Sequence, residues 1–101
     1  MTDPAIIYWV LVGQTPVPEP DFMAWAVWYR TADRVVRQTE IPGGMVSTVF
    51  LGLDHGFGGG PPILFETMIF CDGESCGECW RCSTWLEAEQ QHAAALAMVA
   101  K

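Results

Sequence analysis

Read along its apolar and polar positions, the chain divides into strand-like and helix-like stretches. Residues 5–12 (AIIYWVLV) are rich in Ile, Tyr, Trp and Val and predict a strand. Residues 14–20 (QTPVPEP) hold three prolines at alternate positions and predict an extended connector, because each proline fixes its own φ and pushes the residue before it out of the helical region. Asp21 is a helix N-cap candidate, and Phe22, Trp25, Ala26 and Tyr29 follow at helical spacing, which predicts a short helix over 21–31. Trp25, Val27 and Tyr29 also alternate, so a strand is the competing assignment there.

Residues 34–41 (RVVRQTEI) read as a mostly polar strand at an edge or with one wet face, closed by a turn at Pro42, Gly43 and Gly44. Residues 45–53 (MVSTVFLGL) form the strongest strand pattern, with Val46, Thr48 and Phe50 on one face and Val49, Leu51 and Leu53 on the other. A glycine-rich loop over 54–62 leads into a second central strand over 63–70. A hairpin loop over 71–77 and a short returning strand over 79–82 follow. Thr84 and Glu87 make a capping box, and the helix it opens over 85–100 places Trp85, Ala88, His92, Ala95, Leu96 and Val99 on one face. The expected fold is α+β in one small domain over 1–101. An antiparallel sheet of four to five strands carries a short helix in its N-terminal half and a C-terminal helix packed on one face.

Length and charge narrow the function. At 101 residues there is room for one domain, and the half-hydrophobic composition excludes a wholly disordered chain. Twelve acids against five bases give a net charge of -7, and Lys101 is the only lysine. No basic patch exists to neutralise phosphates, which argues against direct nucleic-acid binding. The apolar run over 5–13 is far short of the ~20 residues of a membrane-spanning helix. It also lacks the basic start of a signal peptide, so a cytoplasmic protein without a membrane partner is expected.

The sharpest chemical feature is Cys71, Cys76, Cys79 and Cys82, spaced C-x4-C-x2-C-x2-C. Four thiolates can close a tetrahedral zinc site, and a C-x2-C pair on a turn can present two sulfurs to one ion. Zinc is the cofactor this spacing suggests, in a structural role. Free thiols, a disulfide between Cys71 and Cys82 across the two strands and an iron–sulfur cluster are the alternatives. The loop His55-Gly-Phe57-Gly-Gly-Gly lacks the Lys and Ser/Thr of a phosphate loop and reads as a mobile binding tip. Glu66 lies mid-strand between Leu64 and Met68, where a carboxylate needs a partner, and Arg34 or Arg37 is the expected one. His92, on the apolar face of the last helix, is expected to be a satisfied core histidine. A catalytic set built from His55, Glu66 and His92 is the lesser alternative. Of the five tryptophans, Trp28 and Trp80 are the candidates for exposed protein-binding contacts, together with His55 and Phe57.

Residues 46–70 (VSTVFLGLDHGFGGGPPILFETMIF) and 83–92 (STWLEAEQQH), with Trp28, Tyr29, Thr31, Ala32, Asp33 and Arg34 upstream, resemble a group of short proteins encoded by bacteriophages and prophages. Those proteins typically carry a GGPLD-type loop without cysteines before a Tyr-Ser-Thr-Trp segment. The cysteine hairpin over 71–82 therefore looks like an elaboration of the shared fold. The resemblance carries no activity with it; together with the small size, the acidic surface and the candidate exposed tryptophans it leads to the expectation of a non-enzymatic phage accessory protein that binds and modulates a bacterial host protein, for example by inhibiting a host defence. A four-cysteine zinc module with a structural or interaction role is the alternative.

Overall fold

The computed structural model describes residues 7–56 and 60–99. It contains β1 (Trp9–Val12), β2 (Thr15–Pro18), α1 (Phe22–Thr31), β3 (Val35–Ile41), β4 (Gly44–Phe50), β5 (Phe65–Cys71), β6 (Glu74–Cys82) and α2 (Trp85–Val99). Strands β3 to β6 form an antiparallel four-stranded sheet in sequence order, and β1 and β2 form a separate two-stranded hairpin. The α+β class and the C-terminal helix lying on the sheet match the sequence pattern. The first strand differs: it pairs with the proline segment, and it meets the main sheet through a bridge from Tyr8 to Leu53, the backbone bonds beside it, and the packing of Trp9 and Leu11 on the core.

The proline segment is a strand because of its period. Glu19 N–H donates to the Tyr8 carbonyl at 2.8 Å, so β2's hydrogen-bonding positions are the odd-numbered residues Thr15, Val17 and Glu19. Pro16 and Pro18 fall between them, where the missing N–H would have pointed away from β1. The same spacing strips donors from β2's outer edge, which discourages addition of another strand there.

Helix α1 starts where Asp21 accepts from the Met23 and Ala24 amides at 2.9 and 3.4 Å. It packs on β1 of the hairpin and reaches the core on the α2 side of the sheet through Trp28. The Trp25 indole N–H donates to the carbonyls of Trp9 and Gly52 at 3.1 and 3.0 Å, stitching α1 to β1 and to the chain leaving β4. No residue of α1 is fully buried. Trp28, expected as an exposed contact, instead packs edge-on to Phe50 at 5.9 Å.

Helix α2 begins at the expected Thr84 cap, with the Glu87 carboxylate reaching back to the Thr84 hydroxyl instead of its backbone N–H. Thr84 Oγ1 accepts from the Glu87 amide at 3.1 Å, and its hydroxyl donates to the Glu87 carboxylate at 3.0 Å. Ala88, His92 and Ala95 are buried along the helix, with Trp85, Leu96 and Val99 half-buried beside them. They cover a core in two parts. One holds Phe50, Leu64, Phe65, Cys82 and Ala88, flanked by Trp9, Leu11, Trp28, Val36 and Trp85. The other holds Val46, Ile69 and Ala95, flanked by Ile41, Trp80, Leu96 and Val99. Trp80 is thus a half-buried core neighbour, not a free contact.

The second hairpin differs most from expectation. Instead of a loop over 71–77, β5 and β6 meet in a two-residue turn at Asp72 and Gly73, with φ of 53° and 84°. Asp-Gly with both residues at positive φ is the signature of a type I′ turn, whose twist matches that of the flanking strands. Strand β6 therefore runs over nine residues.

Phe50 is fully buried at the junction of α1, the sheet and α2. Phe50→Ala is expected to lower unfolding free energy by about 3–5 kcal/mol, read as a drop in the urea midpoint at unchanged slope.

Candidate functional site

Residues directly opposite one another in an antiparallel sheet point to the same side. The α2 side carries Thr39, Val46, Thr48, Phe50, Phe65, Thr67, Ile69, Trp80 and Cys82. The other side carries Gln38 and Glu40 on β3, Met45, Ser47 and Val49 on β4, Glu66, Met68 and Phe70 on β5, and Ser75, Cys79 and Arg81 on β6. Among the described residues no helix lies over this second face. Met45, Val49, Met68 and Phe70 form an apolar band along its two central strands, each half-buried. At the turn end, Gly44, Met45, Phe70 and Gly73 line a cleft of about 270 Å³.

Polar groups rim the band. Gln38 Nε2 donates to Ser47 Oγ at 3.2 Å, and Glu40 is exposed at the β3 edge. Glu66 accepts from Arg81 Nε at 2.9 Å. The expected partner was Arg34 or Arg37. The register instead sets Arg81 directly opposite Glu66 on the neighbouring strand, the closest cross-strand position. Arg81 is 45% exposed, so this pair contributes at most about 1 kcal/mol and chiefly fixes the rim. Arg34 lies elsewhere, with its guanidinium 4.0 Å over the Tyr29 ring and Nη1 donating to the Phe50 carbonyl at 3.1 Å.

The candidate acid–base groups do not share a site. His92 is 1% exposed beneath α2, on the opposite face of the sheet from Glu66. Its Nδ1 meets Thr48 Oγ1 at 2.8 Å and its Nε2 meets Thr39 Oγ1 at 2.9 Å, while Thr48 also bonds Thr67 at 2.7 Å. A neutral imidazole has one donor and one acceptor, and each hydroxyl can play either part, so both ring nitrogens are satisfied. Burial, and secondarily the nearby Arg37, push the His92 pKa below its ordinary value. Asp54 is a loop clamp: its Oδ1 accepts from the Gly56 and Ile63 amides at 2.8 and 2.9 Å and closes the base of the glycine-rich loop. His55 is exposed beside it, and Phe57 lies outside the described residues.

The cysteines divide. Cys71 and Cys76 form a disulfide with Cα atoms 5.5 Å apart, whereas Cys79 is a free exposed thiol and Cys82 a free buried one. Cys79 and Cys82 are an odd number of residues apart on one strand and face opposite sides of the sheet. In this structure the disulfide pair, Cys79 and Cys82 do not converge as four separate thiolates on one point; the Cys71–Cys76 bond takes the place of the Cys71–Cys82 bond expected from sequence. Among the described residues no three His, Cys, Asp or Glu side chains cluster as metal ligands would. Burial, with a smaller contribution from Glu87, pushes the Cys82 thiol up to about 11, which leaves it protonated and unreactive at neutral pH. Among the described residues no helix is long and apolar enough to cross a membrane. Comparison with protein-family models, with curated proteins and with solved structures finds no match to this chain.

The uncovered apolar face was not singled out from sequence. Its signal was present: the strands that became β4 and β5 are apolar on both faces, yet the pattern predicts a single long helix, over 85–100, to cover them.

The His92 pKa shift has a definite sign. A group whose folded pKa lies below its unfolded value near 6.5 contributes no penalty above that pH and an increasing one as pH falls. Wild-type stability is expected to drop between pH 7 and pH 5 by more than that of the His92→Gln variant, measured as urea midpoints at each pH.

Proposed function

We propose that the chain is a phage-encoded, non-enzymatic accessory protein that binds and modulates a bacterial host protein in the host cytoplasm. The single observation that carries the binding role is the uncovered sheet face with Met45, Val49, Met68 and Phe70 at its centre. An apolar face with a polar rim has the composition of a protein-recognition patch. Glu66 and Arg81 hold the rim in place, and a surplus of acids over bases favours a partner with positive charge. The phage origin rests on the sequence resemblance alone, over residues 46–70 and 83–92 with Trp28, Tyr29, Thr31, Ala32, Asp33 and Arg34 upstream. A protein-binding role also uses the disposition of the polar groups: His92 and Asp54 are committed to holding α2 and a loop in place, and neither is presented to a substrate.

Parallel affinity capture from bacterial lysate tests this. Wild type is expected to retain a host protein that Met68→Glu loses by at least tenfold, with melting temperature and circular dichroism of the variant unchanged. Met23→Glu, on the exposed outer side of α1 at 66% exposure, is expected to retain it. Capture of the same proteins by wild type and Met68→Glu would remove the sheet face from the proposal.

A further inference from the structure

The β5–β6 hairpin carries two registers at once. From Phe65 opposite Cys82 to Met68 opposite Cys79 the pairing is regular. At the tip, Phe70 lies opposite Ser75 and Cys71 opposite Glu74. Two steps along β5 thus correspond to four along β6, so that residues 76–78 occupy the stretch of β6 that spans the single residue Ile69. Gly77 holds this bulge at φ 141°, a conformation open in practice only to glycine.

If the regular register simply continued, Ile69 would meet Glu78, Phe70 would meet Gly77 and Cys71 would meet Cys76. The loop would then be Asp72 to Ser75. The shift is two residues, so every side chain keeps its face; a one-residue slip would invert them all. The exchanged neighbours are similar in kind. Phe70 trades Ser75 for Gly77, and Cys71 trades exposed Glu74 for exposed Cys76. The observed register keeps the tight type I′ turn but leaves a bulge, while the slipped one completes the ladder but opens a four-residue loop. The disulfide need not break. Its Cα separation of 5.5 Å is already that of directly opposed strand residues and shorter than a diagonal neighbour allows.

We infer that the tip of this hairpin is a two-register switch pivoting on the Cys71–Cys76 disulfide, with Gly77 and the Asp72–Gly73 turn as its two latches. The slip removes Gly73 from the cleft it lines with Gly44, Met45 and Phe70, and sets Gly77 beside Phe70 in place of Ser75. The turn end of the uncovered face thereby has two shapes. The switch matters for binding only if that face is the docking surface, but its existence is tested with no partner present, so the two ideas fail separately.

The test is backbone NMR on the full oxidised chain, reading cross-strand contacts of Phe70. Wild type shows the contact with Ser75. Gly77→Val, whose side chain enters open space but cannot hold φ 141°, is expected to lose that contact completely and gain one between Phe70 and position 77. Gly73→Val, which disables the tight turn at φ 84° and also enters open space, is expected to give the same slipped pattern by an independent route. Asp72→Asn, which strengthens the turn, is expected to keep Ser75 as the only partner. Retention of the Ser75 contact in both glycine variants, or loss of both contacts while the Thr48 and Thr67 amides stay protected, would overturn the switch.

Discussion

One buried polar contact organises this protein. His92 reaches from the middle of α2 into the sheet and bonds hydroxyls on two strands, Thr39 on β3 and Thr48 on β4, with Thr67 on β5 joined through Thr48. The two halves of the apolar core lie on either side of it, one around Phe50 and Phe65, the other around Val46 and Ile69. Apolar contacts alone would let a helix slide or rotate over a sheet at modest cost, because they are not directional. A buried imidazole is directional. Displacing it by one residue would strand polar groups at about 1–3 kcal/mol each, so it sets the rotation and depth of α2.

That single placement decides what the rest of the molecule can offer. With α2 fixed on one face, and α1 held at the β1–β2 hairpin through the Trp25 indole, no helix among the described residues is left for the other face. The two central strands are apolar on both sides, so the second side becomes a half-exposed band instead of a second core. The rim is then set by register. Arg81 meets Glu66 because they are directly opposed, in place of Arg34 or Arg37, the partners expected from a neighbouring strand.

The cysteines show how the same register governs chemistry. Spacing alone treats Cys71, Cys76, Cys79 and Cys82 as equivalent ligands. On a strand, parity separates them: Cys79 faces the open side, Cys82 faces the core, and Cys76 sits in a bulge near Cys71. The Asp72–Gly73 pair was visible as a turn signal, but the cysteines drew the loop boundaries outward and hid the nine-residue strand. The prolines of β2 misled in the opposite sense. They suggested a connector, yet their alternate spacing is what makes a strand edge possible.

By itself the sequence determined the elements whose cause is local. The N-cap at Asp21, the cap at Thr84, the face of α2 bearing His92 and the alternation of β4 each depend on residues within a few positions of one another. It also marked His92 as a core group, since a lone histidine on an apolar stripe must find hydrogen bonds inside. Only the tertiary structure decided which groups meet: the hydroxyls that His92 finds, the partner of Glu66, the fate of the four thiols, and the face that stays uncovered. These follow from strand order and register, which arise from contacts between residues far apart in the chain and leave no periodic trace in it.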